Sequence, residues 1–399
     1  MNAYRQQYLL FCILIFCFVQ CTKQKTDTCQ NVQTLAINPK QINPIKFSNL
    51  FSAQEVIKVS NDSINVLSKP SKLLTADNHF YFCSNNILFV YDQEGNCILN
   101  INKKGNGPGE YITISDFSID SDKKLLEIND GEGGKIVRYD MNGNYVGEIK
   151  YKLFSSNFVN YRNDLYMYSG RTKNAEKDYS IHILNSETGD SKKKIVEVPA
   201  EEKYLNFIEY TNFAIWDDTL SYSSSISDTI YYIKDRELYP RLTIDFGKSA
   251  LPSNAYHEFT NLSDFVNYIN SNKYAARIDG YAENSSFLFF IYTYENLRPF
   301  VLFDKKRNKL YHFSNFENDL LFPTVNQRTA YDILPVFMDD NYCYWMIEAY
   351  QFLELFNDIK SKMPQSEYDE FIRKNQKLNL IYQNLQPEDN PLILKYKFK

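Results

Sequence analysis

Tyr91-Asp92-Gln93-Glu94-Gly95-Asn96 and Tyr139-Asp140-Met141-Asn142-Gly143-Asn144 are two copies of one turn, 48 residues apart. Each stands between apolar runs, 87–90 and 97–101 around the first, 136–137 and 145–149 around the second. Glycine at the fifth place supplies the positive φ that a tight hairpin needs, so both copies read as strand, turn, strand. Looser copies at 184–189, 233–236 and 303–308 bring the hairpins to five.

A second marker is an acidic or amide turn that leads into an aromatic strand. It occurs at Asp77-Asn78, Asp120-Ser121-Asp122, Asn163-Asp164, Asp217-Asp218, Glu283-Asn284 and Asp339-Asp340, at intervals of 43, 43, 54, 66 and 56 residues. Propeller blades of four strands run about 40 to 50 residues, so six markers predict six blades with some insertions. The sixth hairpin lacks its outer strand. Residues 392–398 alternate apolar and lysine-bearing positions and predict a third strand with one wet face. The missing partner is expected from the other end, where 55–59 have strand character; pairing of the two termini would close the ring and hide its edges. The predicted fold is an all-β, six-bladed β-propeller with two helical insertions.

Composition agrees with this reading. Of 399 residues, 16% are aromatic (Tyr 32, Phe 29, Trp 2), which favours pleated, half-buried surfaces. A formal charge of −5 and a pI near 5.6 exclude the broad basic field of a general nucleic-acid binder, so no nucleic-acid partner is expected.

The run from Tyr8 to Val19 is apolar and too short for a transmembrane helix, but suits a signal-peptide core. It ends at Phe18-Val19-Gln20-Cys21, which resembles a bacterial lipobox, with Phe18 where Leu is commonest and Gln20 where a small residue is usual. The resemblance implies lipidation of Cys21 as the mature N-terminus, a signal peptide over 1–20 and a tether over 21–46 before the propeller of 47–399. Membrane attachment through that lipid is the expected partner contact. The remaining cysteines, Cys29, Cys83, Cys97 and Cys343, have no metal-ligand spacing, and no structural disulfide is expected.

Gly105-Asn106-Gly107-Pro108-Gly109-Glu110-Tyr111, the Tyr-Asp-x-x-Gly-Asn hairpins and the ending at 390–399 together resemble the six-bladed, NHL-like β-propeller lipoproteins of Bacteroidota. The resemblance covers about residues 50–399 and implies a cell-envelope protein of the outer membrane, on its periplasmic side, linked to glycan utilisation. It brings no catalytic residues with it.

In a blade of strands a to d, the b–c and d–a loops open on one face. The insertions at about 247–277 and 347–390 and the Gly105 to Tyr111 loop all fall on that face. Leu262, Phe265, Val266 and Ile269 form a helical stripe in the first insertion, as do Ala349, Phe352, Leu353 and Phe356 in the second, with a fresh helix start at Ser366 after Pro364. Tyr111, Arg171, Tyr294 and Arg298 lie in the same set of loops and are the candidate binding residues, able to stack on sugars or grip carboxylates of a glycan or protein ligand. Packing of the insertions is the competing role.

Gly105, Gly107, Pro108, Gly109, Glu110 and Tyr111 read as a structural turn, because a strand and not a helix follows them. Asp217-Asp218 and Asp339-Asp340 are adjacent in strands and cannot converge as a glycosidase pair. His79, His182, His257 and His312 have no motif partners. No catalytic residue, metal ligand or cofactor is expected, which leaves a non-catalytic binding or scaffold propeller as the first reading and an envelope hydrolase or lyase on the loop face as the second. Cys21→Ala is expected to abolish incorporation of a fatty-acid analogue in metabolic labelling; label that persists in the variant contradicts lipidation.

Overall fold

The chain was examined as a computed structural model that describes residues 32–399 apart from 62–66, 68–71, 172–178, 208, 210, 324–327 and 330–334. Cys21 and Cys29 lie outside the described residues. The repeated turns form as the sequence requires. Asp92 Oδ1 accepts the backbone N–H groups of Glu94 and Asn96 at 3.0 and 2.7 Å, and Asp140 Oδ1 accepts those of Asn142 and Asn144 at 2.9 and 2.8 Å. At the acidic markers, Asp77-Asn78 and Asp217-Asp218 both have positive φ at two successive residues, as short hairpin turns demand.

Strands dominate, and six sheets of four or five strands follow one another along the chain, with a small three-stranded sheet after the fifth. Sheet 1 holds Leu73–Ala76, His79–Ser84, Ile87–Tyr91 and Cys97–Ile101; sheet 2 runs from Asp116–Asp120 to Tyr145–Lys150; sheet 3 runs from Asn157–Tyr161 to Ser191–Glu197. Sheet 4 runs from Phe213–Trp216 to Glu237–Asp245, and sheet 5 from Ala276–Glu283 to Lys309–Phe313. Sheet 6 holds Pro335–Met338, Tyr342–Ile347 and Leu392–Phe398 and takes its outer strand, Phe51–Lys58, from the other end of the chain. That last pairing is antiparallel, with Val56 opposite Leu394 and Ile57 opposite Ile393.

Apolar clusters join each sheet to the next. Val90 and Val137 share a cluster between sheets 1 and 2, Ile149 and Phe158 one between 2 and 3, and Ile181 and Leu220 one between 3 and 4. Leu242 and Phe290 share one between 4 and 5, and Phe287 and Leu394 one between 5 and 6. A further cluster puts Ile57, Tyr344 and Ile393 of sheet 6 with Phe80 and Phe82 of sheet 1. Polar ties reinforce these contacts: Lys124 to Asp77 at 2.9 Å, Arg162 to Asp218, and the backbone N–H of Ser285 to Asp340 at 2.9 Å. The paired aspartates are therefore turn residues that reach the neighbouring sheet.

The stretch read as a tether up to Lys46 is folded in its last part, and the compact unit begins at Gln33. Gln33–Ala36 adds a fifth, parallel strand to the outer edge of sheet 4, and Ile45–Lys46 pairs with Asn315–Glu317. The polar stretch lacks a period because its register is set by the edge it joins. Both insertions are helical: Leu262–Asn272, capped by Asn261, and Ala349–Lys362, Gln365–Lys374 and Gln376–Asn384. The second helix of the latter starts at Gln365 and not at Ser366, since Pro364, with φ already fixed at −55°, stands just before it. Cys83 and Cys343 are free thiols.

Leu392–Phe398 lies inside sheet 6, so its loss also detaches Phe51–Lys58. Each fully buried side chain lost removes about 1.5 to 3 kcal/mol, and Leu392, Ile393, Leu394 and Tyr396 are all buried. A chain lacking 392–399 is expected to lose cooperative melting; melting like that of the full chain would contradict the pairing.

Candidate functional site

The Gly105 to Tyr111 loop is held from all sides. Glu110 turns back to accept the Gly107 N–H at 2.8 Å, the Tyr111 hydroxyl donates to the Ile101 carbonyl at 2.6 Å, and Tyr139 donates to the Gly109 carbonyl at 2.7 Å. Asp130, fully buried, accepts the N–H groups of Ile112 and Thr113 at 3.0 and 3.1 Å. Gly109 has φ +71°, and a Cβ there would sit 2.7 Å from the Tyr145 ring. The segment is a latch between sheets 1 and 2. Tyr111, with no exposed surface, belongs to their shared cluster and offers no ring face to a ligand.

The other loop candidates are also engaged in the structure, each with partners of its own. Arg171 is buried and donates to Glu202 at 2.5 Å. Tyr294 is buried beside sheet 4, in a turn closed by its own bonds to Leu297. Arg298 donates to buried Asp279 at 3.2 Å. The first insertion seats Phe265 among Tyr204, Phe207, Tyr256 and Phe259. The second packs Phe352 on Phe322 and reaches the outer strand of sheet 6 through Lys377 to Glu55 at 2.9 Å.

A cavity of about 640 Å³ lies where the first strands of the six sheets meet. Its wall takes Lys72 and Leu74 from sheet 1, Asp116 and Ser118 from sheet 2, Asn157 and Val159 from sheet 3, Thr211 and Phe213 by sheet 4, Gly280 and Ala282 from sheet 5 and Phe337 from sheet 6. Asp116 joins three sheets: it accepts Lys72 Nζ at 2.8 Å and the Phe158 N–H at 3.0 Å. Asn157 donates to Asn212 at 3.0 Å. Glu283, also on the wall, is held by Arg241 at 2.6 Å and Lys305 at 3.0 Å, and Lys305 stands 3.7 Å over the Trp216 ring. Burial and then the Glu283 charge push the Tyr281 hydroxyl far above its ordinary range, so it stays a donor to that carboxylate. Loop-by-loop reading missed this site; its one sequence signal is the mixed polar and apolar strand just before each acidic turn.

Residues 31–397 match the domain of unknown function DUF4934. The chain belongs to this family. Among solved structures it is similar to a Bacteroides fragilis protein taken to be exported, with a TM-score of 0.71 at 16% identity over 92% of this chain and 100% of that one. It is also similar to a member of the DUF4221 family from Bacteroides vulgatus, with a TM-score of 0.50 at 10% identity over 88% and 97%. At such identities the likeness shows a shared fold. No curated protein matches the sequence.

In this DUF4934 chain the histidines stay apart from the cavity. His182 bonds the Tyr179 carbonyl at 3.1 Å, and His257 lies 3.8 Å from Glu201. Among the described residues no three His, Cys, Asp or Glu side chains stand close enough to share a metal. No described helix is long and apolar enough to cross a membrane. His312 lines a separate groove of about 880 Å³ beside residues 36–45 and bonds the Tyr292 hydroxyl at 2.7 Å. Burial pushes its pKa down to about 4.

The unfolded chain takes up that proton near pH 6.5, before the native state does, so stability is lost as pH falls from about 6.5 towards 4. In urea titrations at pH 7, 6 and 5, His312→Gln is expected to lose less stability than the parent; parallel losses would contradict the assignment.

Proposed function

We propose that this chain is a cell-envelope lipoprotein, anchored through Cys21 to the periplasmic side of the outer membrane, whose closed six-bladed β-propeller binds a ligand without transforming it. The signal peptide would be 1–20, and the tether would start at Cys21 and end before the strand Gln33–Ala36. Ring closure is supported by sheet 6, which shares one apolar cluster with sheet 5 and another with sheet 1. The observation that carries the binding role is the cavity: its volume lies within the ~300 to 1,000 Å³ usual for ligand sites, and all six sheets contribute to its wall.

A hydrolase or lyase on the loop face would need an available acid, base or nucleophile there. The residues first considered on that face are instead buried or ion-paired. The resemblance to envelope lipoproteins brings glycans into the range of ligands to try, beside peptides and lipids.

A panel of these ligands tests the reading. Ala282→Leu narrows the cavity and is expected to weaken binding about tenfold, or ~1.4 kcal/mol, with melting nearly unchanged. Arg298→Ala is expected to lower the melting temperature and leave binding intact. Binding that is lost in folded Arg298→Ala and untouched by Ala282→Leu would place the ligand on the loop face.

A further inference from the structure

The cavity continues past the inner strands as an arm between sheets 5 and 6. Phe289, Phe300, Leu302, Phe313, Trp345 and Phe398 line it, all but Phe289 buried. Cys343 is its one thiol, and burial pushes that thiol well above its usual range, so it stays protonated and apolar in character. Charged and amide side chains on the same wall, Lys72, Asp116, Asn157 and Glu283, belong to the part among the inner strands. The lining thus divides into a polar chamber and an aromatic arm.

Protein interiors are packed with few voids larger than a water molecule, and walls that face empty space lose their dispersion contacts. An arm of this kind offers its dispersion contacts to an apolar group. A sugar there would leave its hydroxyls unpaired, because among the described residues the arm lining carries no carboxylate, amide or hydroxyl group. In the chamber, Asp116 is paired with Lys72, and Glu283 is held by Arg241 and Lys305 from off the wall, so the charges are already matched and the chamber offers polar partners to a head group.

Resting on the cavity reading above, we propose that the ligand is a single-chain acyl amphiphile with a polar head. Its chain enters the arm between sheets 5 and 6, and its head stays by Lys72 and Asn157. Free fatty acids and lysophospholipids share this chemistry.

The test uses the full chain carrying Cys21→Ala, which avoids detergent, with cis-parinaric acid as a fluorescent probe and palmitate or lysophosphatidylglycerol as competitors. Saturable binding displaced by either competitor is expected, and the better competitor identifies the source of the chain. Leu302→Phe, which fills the arm, and Ala282→Leu, at its entrance, are each expected to weaken the probe about tenfold. The second variant is included because the first is deeply buried, and melting is recorded for both. Binding unchanged in both folded variants overturns the proposal, as does displacement by a planar aromatic but not by either acyl competitor. If no acyl probe binds while a polar ligand is lost in Ala282→Leu, the ligand class is wrong and the cavity reading stands. If nothing that binds responds to Ala282→Leu, both fall.

Discussion

The antiparallel ladder between Phe51–Lys58 and Leu392–Phe398 is the contact on which the other sheets depend. Side chains alternate across a strand, and this ladder uses both sides. Val56, Leu392, Leu394, Tyr396 and Phe398 pack towards sheet 5, whereas Ile57 and Ile393 pack towards sheet 1. One pairing between the chain's far ends therefore builds two of the six apolar interfaces. In the proposed ring Tyr344 adds a ring contact to Phe80, 5.9 Å between centroids, where the last blade meets the first.

The N-terminal segment does more than supply a strand. Gln33–Ala36 lies along the outer edge of sheet 4 and Ile45–Lys46 joins the small sheet that follows sheet 5, so the segment crosses the periphery before it enters sheet 6. Lys377 and Asp389 of the second insertion then hold Glu55 and Lys58 of the outer strand. An exposed edge strand invites pairing with other chains, and these contacts cover it. The insertion that looked like decoration for function works at least in part as a clamp. The arm beside sheet 6 lies against the same ladder, since Phe51 and Phe398 are among its lining.

What could be read from the sequence was local. In Tyr-Asp-x-x-Gly-Asn the carboxylate, the amides it accepts and the glycine that turns the chain all sit within six residues, so composition states the geometry. Helical stripes such as Phe265 with Ile269 are equally local, and both residues are buried as expected. Gln33–Ala36 could not be found this way, because a parallel strand on an edge takes its register from a partner some 209 residues away. The burial of Tyr111 and Tyr294 was out of reach for a related reason: a loop residue is buried or exposed according to the sheet next to it. The cavity was hidden most fully, since its lining is scattered over all six sheets, from three residues at each of sheets 1 to 3 to nine in sheet 5.

Native-state hydrogen exchange on the full chain tests the terminal pairing most directly. The amides of Phe51–Lys58 that bond to Leu392–Phe398 should exchange only when the whole protein unfolds, with the same free energy as the central strand His79–Ser84 of sheet 1. Exchange of those amides at the rate of surface loops, while sheet 1 stays protected, would contradict closure through the termini.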